Sequence, residues 1–466
     1  MSNESSNTSQ HTETPTQQKQ HSLIEGSIKA SLIRMTLPMI VGMFMMFTFS
    51  LVDTFFVSLL GTAELTAISF TFPVTFTIMS LAIGLGIGAS AVVAKYIGRE
   101  DLERAKESST VINYVALLFA AVLIAACWFF MEPLFALMGA DAGLIALIHD
   151  YMSIWFPGSV LLVGLMTANS ILRAHGDSKT PSIIMAGSGL INALLDPLFI
   201  FGYGPVPAMG IKGAAIATLA AWTVGYGYLF YHLAIKHRLI STRLPSRQIL
   251  ISSSREMLRI GLPAAGANMM TPLAMGTMTA IAAGFGTSVV AAFGVGARLE
   301  PIATLLILAM SSTLPPLISQ NYGAGHLDRI KEAYSMSLRF IMIWQLAVYL
   351  LLVLAAPWIA RVFTSDPEVL ETLRLFIWIL PIGYGMQGII ILSNSSLNAM
   401  HRPMTALYLS VARFFVLYVP CAYLGSRFFG LPGFFGGAVF ANSLMAIISW
   451  ITVKRALAAE KALHAV

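Results

Sequence analysis

Long apolar runs recur along this chain and are separated by short segments of polar residues, Gly and Pro. A helix of about 20 apolar residues crosses a hydrocarbon core of ~30 Å, so each run is long enough to span a membrane. Twelve spans are predicted, near residues 34–60, 64–95, 108–131, 143–172, 180–202, 211–235, 256–283, 289–319, 330–359, 368–399, 404–426 and 433–455. The predicted fold class is an all-α polytopic membrane protein with twelve transmembrane helices.

The composition agrees with this pattern. Of the 466 residues, 57% are hydrophobic and 11% are charged, which is too apolar for a soluble globular protein of this size. The formal net charge of +6 resides in short loops and forms no basic patch on a soluble domain, so a nucleic-acid partner is excluded. Cys127 and Cys421 both lie inside apolar runs, which favours buried thiols over a disulfide.

Lys and Arg are distributed unequally between alternate loops. If the N-terminus is inside, the outer loops receive only Lys212, Arg361 and Arg427, and most other basic residues fall on the cytoplasmic side. We therefore expect both termini to be cytoplasmic. The first 27 residues are rich in Ser, Thr, Gln and Asn and lack the apolar segment of a signal peptide, which predicts a disordered cytoplasmic tail.

The two halves of the chain repeat each other at an offset of about 225 residues. LIRMTLP, ending at Pro38, matches MLRIGLP, ending at Pro263, and GTAELTAISF from Gly61 matches GTSVVAAFGV from Gly286. Because each copy holds six spans, both cross the membrane in the same sense. This predicts two parallel six-helix bundles, related by a pseudo-two-fold axis along the membrane normal, with a cavity between them.

The repeat also sets the domain boundaries. We assign residues 28–236 to an N-terminal bundle, 237–255 to a cytoplasmic linker, 256–456 to a C-terminal bundle, and 1–27 and 457–466 to cytoplasmic tails. The sequence contains no G-x-x-x-x-G-K-[ST] phosphate loop and no soluble domain of useful size. Any pumping is therefore expected to use an ion gradient.

Two carboxylates lie inside apolar spans. Asp53 stands in FSLVDTFFVSLLG of the first span and Asp196 in NALLDPLFIFG of the fifth, at similar depths in the outer half of the first bundle. A charged Asp at the centre of a span costs roughly 2.5 to 3.5 kcal/mol, so such residues usually face a cavity and bind or relay an ion. Asn192 lies one helical turn from Asp196, and Thr218 of the sixth span reaches a comparable level.

These groups have more than one interpretation. They can form an oxygen-lined site for Na⁺ at Asp53, Asn192, Asp196 and Thr218, or a carboxylate pair that shares a proton. The alternative is that the two Asp residues only hydrogen-bond neighbouring helices. In the second half, Arg298 and Glu300 point to different faces of the eighth span, and we expect structural or inter-bundle contacts for them.

The set of motifs resembles one known family. VDTFFV in the first span, NSILRAHGDSKTP between the fourth and fifth, NALLDPLFIFG in the fifth and GAAIAT in the sixth resemble the multidrug and toxic compound extrusion (MATE) transporters. The resemblance covers essentially the whole chain after the tail. It is greatest to the DinF-like branch, because the NorM-like branch places acids in helices 7 and 10, where this chain is acidic only near the helix ends.

The resemblance implies roles for individual residues. In the DinF-like branch an Asp of helix 1 and an Asn-x-x-x-Asp of helix 5 carry the cation-linked step, and these positions correspond to Asp53, Asn192 and Asp196, with Thr218 in the same network. Pro38 matches a proline associated with bending of helix 1. The residues that match the substrate cavity of the N-terminal bundle are Tyr151, Asn169 and Asn192.

The resemblance implies a secondary active antiporter of the bacterial inner membrane, which exports amphipathic, often cationic, organic compounds in exchange for H⁺ or Na⁺ by alternating access. It implies no enzyme activity and no cofactor besides the coupling ion. We expect a monomer whose partners are small-molecule drugs or organic cations and membrane lipids.

Two other classes compete with this interpretation. A lipid-linked precursor flippase would also use paired bundles, but it would favour a broad basic cavity, whereas the residues assigned to this cavity are acidic or neutral. A membrane-embedded enzyme would need a clustered nucleophile and base, or metal ligands, and the spans supply neither.

Overall fold

The structure of the protein is a computed structural model that describes residues 23–241, 245–363 and 366–464. The helices are α1 Ile28–Ser58, α2 Thr62–Gly98, α3 Leu102–Phe129, α4 Met131–Leu137, α5 Ala142–Ala174, α6 Lys179–Phe201, α7 Ile211–Tyr231, α8 Arg247–Ala283, α9 Thr287–Ala303, α10 Leu305–Gly323, α11 Leu327–Phe363, α12 Pro367–Ile379, α13 Tyr384–Ala399, α14 Pro403–Val411 and α15 Val419–His464. Short π-helical or 3-10 turns follow α7, α12 and α14.

The helix starts are fixed by polar residues in the short loops. Ser27, Asp101 and Asp141 each accept a hydrogen bond from a backbone N–H of the first turn of α1, α3 and α5. Such caps satisfy donors that have no partner inside the helix, so they set where each apolar run begins to be helical.

The predicted number of spans is confirmed. In the described part of the chain, nine helical segments are long and apolar enough to cross a membrane, and the pair α9–α10, bent by 45°, makes a tenth. One of the nine, Pro403–Leu463, is divided at Gly430, whose φ of 62° is not helical. With this division, and with α8, which is not among these ten but occupies the seventh predicted span, twelve helical segments match the twelve predicted spans.

The two ends of the bundles differ in charge. The turns at 99–101, 175–178, 324–326 and 400–402 lie at one end, in or beside clusters of Lys and Arg. We call this end the basic end, and the other the opposite end. The basic end corresponds to the side that the loop charges predict to be cytoplasmic.

The first helix of each half packs against the other half at the basic end. Leu32 and Met35 of α1 belong to a buried cluster with Leu314 of the second half. Met257 of α8 belongs to the core of the first half, with Leu85. The halves are therefore interlocked there by apolar packing.

Hydrogen bonds and one ion pair reinforce this joint. They link Thr36 to Thr313 (2.9 Å), Ser108 to Ser253 (2.9 Å), Ser319 to the Ala91 carbonyl (2.8 Å), Gln320 to the Ala174 carbonyl (2.7 Å) and Lys95 to Glu256 (2.7 Å). All of these groups lie in the half of the molecule nearer the basic end. The joint therefore closes that end.

The predicted tails fall partly outside the described residues. Residues 1–22 and 465–466 are not among them, whereas Leu23 is fully buried, and its N–H donates to Gln320 Oε1 at 3.0 Å. Asn321 Nδ2 donates to the Leu23 carbonyl at 3.1 Å. At the other terminus α15 continues to His464, through most of the segment predicted as a C-terminal tail.

Helices α2 and α8 touch closely in the basic half. A Cβ atom at Gly84 would collide with the Gly261 carbonyl, and one at Gly88 would collide with the Met257 carbonyl. Glycine is required at these two positions because the backbones of the two halves approach each other so closely.

The same helices separate toward the opposite end. The stripe of α2 that contains Gly84 and Gly88 continues as Thr77 and Pro73, which are both exposed. In the corresponding part of α8, Thr271 and Gly276 are also exposed, and a Cβ at Gly276 would meet nothing within 4 Å. The two halves thus enclose a cleft that widens away from the basic end.

Candidate cation-coupling site

The two predicted carboxylates lie at the same level of neighbouring helices. Asp53 lies five residues before the end of α1 at Ser58, and Asp196 lies five residues before the end of α6 at Phe201. The helices pack along their length, and a Cβ at Gly189 of α6 would overlap the Phe49 ring. This small residue allows the close approach that brings the two acids together.

Asp53 and Asp196 lie within hydrogen-bonding reach of each other. Two ionised carboxylates offer only acceptors, so a hydrogen bond between them requires one proton on the pair. Asp196 is fully buried, and its Oδ2 atom receives no hydrogen from a donor group of the described residues. A buried acceptor without a donor is rare in native proteins and is typical of a site that takes up a further ligand.

An amide and a hydroxyl complete the cluster. Asn192 Nδ2 donates to Asp196 Oδ1 at 3.2 Å and to Thr218 Oγ1 at 3.4 Å. Thr218 in turn donates to the Ala214 carbonyl at 3.0 Å. The structure therefore brings together the four residues Asp53, Asn192, Asp196 and Thr218, which we call the acidic cluster.

The surroundings of the acidic cluster are apolar. Tyr151 packs against a small cluster of Val57, Ile200 and Ala214. Its phenol is near enough to interact electrostatically with both carboxylates. Apolar walls reduce the screening of charge, so loss or gain of one positive charge here has a large electrostatic effect.

Asn169 and Pro38 lie away from the acidic cluster. Asn169 is fully buried near the basic end of α5, five residues before Ala174, and neither side-chain polar atom has a partner among the described residues. Its assignment to the substrate cavity stays a prediction. Pro38 lies inside α1, nearer the basic end than Asp53. It removes one helical hydrogen bond and makes bending of α1 easier there.

The oxygen ligands of the acidic cluster suit a hard monovalent cation or a proton. Two carboxylates, an amide and a hydroxyl are the donor types that Na⁺ takes in proteins, by the same preference for oxygen that Ca²⁺ and Mg²⁺ show. Within the described ranges no group of three or more His, Cys, Asp or Glu could hold a metal ion.

A second polar group lies in the other half. Gln387 Nε2 donates to Glu300 Oε1 at 2.8 Å beside a small enclosed cavity that Tyr384 and Tyr418 also line. Near it, Arg413 is buried and donates to Asn442 Oδ1 at 3.1 Å. Arg413 lies within the predicted span 404–426, and no sequence pattern indicates its contact. The partners of Glu300 and Arg413 are the side-chain amides of Gln387 and Asn442. Both are uncharged residues, and no spacing along the sequence indicates either contact.

The fold and the acidic cluster define a multi-pass membrane transporter built from two six-helix bundles. A family model described as MatE matches residues 38–198 and 263–424, which together are more than half of the chain. The protein belongs to the MATE transporter family. The two matches begin at Pro38 and Pro263, the positions that begin the internal repeat.

Sequence relatives carry two kinds of name. The "FAD transporter" of Shewanella oneidensis is 42% identical over 439 residues, covering 93% of this chain and 96% of that protein. The "Probable multidrug resistance protein YpnP" of Bacillus subtilis is 27% identical, covering 89% and 92%. The "Multidrug export protein MepA" of Staphylococcus aureus is 23% identical, covering 91% and 93%.

Solved structures agree with the family. The Vibrio cholerae MATE transporter VcmN in the bent form has a TM-score of 0.88 and 32% identity, covering 93% of this chain and 98% of that chain. A MATE transporter in the straight conformation has a TM-score of 0.87 and 27% identity, covering 94% and 98%. The protein is a transporter and not an enzyme.

Proposed function

We propose that the protein is a cation-coupled exporter whose coupling site is the acidic cluster. The observation that carries this proposal is the proximity of the half-buried Asp53 to the buried Asp196, together with the Asp196 oxygen that lacks a donor among the described residues. A proton or Na⁺ supplies what this oxygen lacks and lowers the negative charge of the pair. Both cations fit the same oxygens, so the proposal covers H⁺ and Na⁺.

The proposed cycle links this charge to the shape of α1. Binding of a cation at the pair weakens the repulsion between the two carboxylates, and α1 then bends near Pro38. Since α1 also contributes Leu32 and Met35 to the joint at the basic end, a change in its shape is transmitted to the contact between the halves. Alternating access follows when the joint opens and the cleft closes.

The first candidate for the exported compound is an amphipathic organic cation. Its support is the acidic character of the cluster and the names of the multidrug relatives, which are 22–27% identical to this chain. Met269 and Met270 lie in the part of α8 beyond the joint and are partly exposed, so the cleft wall there is soft and adaptable.

A second candidate is a flavin nucleotide. The observation that favours it is the relative named "FAD transporter", which is 42% identical over 93% of this chain, well above the identity of the multidrug relatives. The two candidates differ in charge, because FAD carries a pyrophosphate. An exporter of FAD needs a positive group in the cleft as well as the acidic cluster.

The proposal includes the location and branch. We infer a monomeric protein of the bacterial inner membrane, with both termini in the cytoplasm, in the DinF-like branch. The support is the concentration of Lys and Arg at the basic end and the arrangement of acids in the first bundle. In this orientation the cleft opens to the outside.

Efflux from proteoliposomes tests the coupling proposal. An H⁺ gradient and a Na⁺ gradient are imposed separately, and export of ethidium and of FAD is measured for the wild type, Asp53→Asn and Asp196→Asn. We expect gradient-driven export to fall at least about tenfold in both variants, because the isosteric amide cannot be neutralised by a cation. Full gradient-driven export in both variants would overturn the proposal.

A further inference from the structure

Arg298 is exposed in the middle of a membrane span. It lies 11 residues after the start of α9 at Thr287, a depth of about 17 Å at ~1.5 Å per residue. This is near the centre of a ~30 Å hydrocarbon core. Its side chain is exposed and has no hydrogen-bond or ion-pair partner among the described residues.

The exposed stripe of α9 faces the cleft. In α10, Thr313 and Gln320 contact the first half of the protein. Counting back from Gln320 by about five turns of 3.6 residues reaches Ile302, and by about six turns reaches Arg298. Both residues are exposed. Continuing the helical phase of α10 through the 45° bend into α9 places them on the side that contacts the first half nearer the basic end.

The composition of the stripe supports this orientation. On the side of Arg298 away from the basic end it holds Ala291 and Gly294, and a Cβ at Gly294 would meet nothing within 4 Å. Ile302, one turn nearer the basic end, is its large apolar member and is 58% exposed. The outer face of α11, by contrast, exposes large apolar side chains such as Ile343 and Leu354, each 71% exposed. Large apolar residues suit contact with lipid, whereas small residues beside an arginine suit a water-filled space.

An unpaired guanidinium at this depth must donate its hydrogen bonds to water or to an anion. Charged side chains within spans are rare, and they face cavities and mark substrate or ion pathways. Arg offers five N–H donors in a planar fork that matches the oxygens of a phosphate, which is why it binds phosphate groups with two parallel hydrogen bonds.

We propose that Arg298 binds a phosphate group of the exported compound within the cleft, so that the cleft accepts phosphate-bearing anions such as flavin nucleotides. This inference rests on the flavin-nucleotide candidate of the proposed function. The cleft then has two walls of opposite charge, with the acidic cluster in the first half and Arg298 in the second. The cation and the anionic compound occupy different walls.

Equilibrium binding to the purified full-length protein in nanodiscs tests this role. The probes are riboflavin, FMN and FAD, because riboflavin and FMN share the ring system and differ in one phosphate. We expect the wild type to bind FMN and FAD more tightly than riboflavin. Arg298→Gln should raise the Kd for FMN and FAD by about tenfold or more and leave the Kd for riboflavin within about twofold. For Arg298→Lys, the Kd values for FMN and FAD should lie between those of the wild type and those of Arg298→Gln, because lysine keeps the charge without the planar fork.

Arg339→Gln is the matched control. Arg339 is also exposed within a span, but it borders the large apolar face of α11, so we expect no change in any of the three Kd values. The inference is overturned if the wild type shows no preference for FMN over riboflavin, or if Arg298→Gln retains that preference. It is also overturned if Arg298→Gln weakens all three ligands equally, which would indicate a structural role.

Two further measurements distinguish this inference from its alternatives. If Arg298 binds lipid headgroups instead, Arg298→Gln will reduce retention of phosphatidylglycerol by the protein and leave the FMN preference intact, which overturns the inference. The coupling proposal is tested separately by gradient-driven efflux in Asp196→Asn. Nucleotide binding without a gradient does not depend on that outcome, so either proposal can fail by itself.

Discussion

The amide of Asn192 donates to the carboxylate of Asp196 across one turn of α6, at 3.2 Å. The same nitrogen lies 3.4 Å from Thr218 Oγ1, so a single amide group joins α6 to α7. Because the two N–H bonds of this amide serve the two acceptors, a change at Thr218 alters how firmly Asn192 is oriented toward the carboxylate. The hydroxyl therefore tunes the acidic cluster without carrying charge.

Replacement of Thr218 by Val tests this connection. Val keeps the shape and removes the hydroxyl that accepts from Asn192, at a net cost of about 1 kcal/mol for a typical hydrogen bond. We expect the concentration of coupling cation for half-maximal transport to change by about fivefold, with a smaller change in the maximal rate. Thr218→Ser keeps the hydroxyl and should resemble the wild type. Identical cation dependence in Thr218→Val and the wild type would contradict the role.

The two carboxylates should behave as a unit. Asp53→Asn and Asp196→Asn each remove one member of a contacting pair, so we expect the double variant to export no more slowly than the worse single variant. Ion-driven efflux of ethidium measures this. Glu132→Gln changes an exposed acid at the opposite end and serves as the control, with export unchanged. Additive losses in the double variant would mean that the two acids act separately.

Helices and repeat were predictable because they depend on local patterns. Apolar runs of the right length give the spans, and the offset of about 225 residues between Pro38 and Pro263 gives the duplication. The contact of Asp53 with Asp196 was also predictable, because both lie at a similar depth, and a charge inside a span needs a partner or a cavity.

The contacts between the halves were not predictable in the same way. Ser319 and Gln320 bind backbone carbonyls of Ala91 and Ala174, and any residue supplies such a carbonyl. The pairing of Gln387 with Glu300 likewise joins helices far apart in sequence. These contacts depend on how the bundles pack together, and no spacing along the chain encodes that packing.

The glycines between α2 and α8 give a prediction about stability. Gly88→Ala places a methyl group against the Met257 carbonyl, and such overpacking costs typically about 1–3 kcal/mol. We expect a lower melting temperature of the purified protein. Gly276→Ala, on the same helix pair but facing open space, should leave it unchanged or raise it, since Ala favours a helix by about 1 kcal/mol over Gly. Equal melting temperatures for the two variants would argue against the close contact.

A histidine lies beside the ion pair that joins the halves. His401 Nδ1 is 3.1 Å from Glu256 Oε1, which also accepts from Lys95 Nζ at 2.7 Å, and the Tyr322 ring stacks on the imidazole. His401 is in the turn between α13 and α14, outside the spans, and its side chain is only 14% exposed. Burial lowers the pKa of His401 below its ordinary value of 6.5, although Glu256 acts in the opposite sense.

This shift predicts how stability depends on pH. A lowered pKa means that the folded protein binds the His401 proton less readily than the unfolded chain does. The stability that the neutral imidazole of His401 contributes to the folded protein is therefore present above about pH 6.5 and is lost as the pH falls below that value. We expect the melting temperature of the wild type to fall more than that of His401→Gln between pH 7.5 and 5.5. His326→Gln, at an exposed histidine of another turn at the basic end, is the control and should follow the wild type. If the melting temperature of His401→Gln falls as much as that of the wild type, the imidazole is not the group that titrates at the joint.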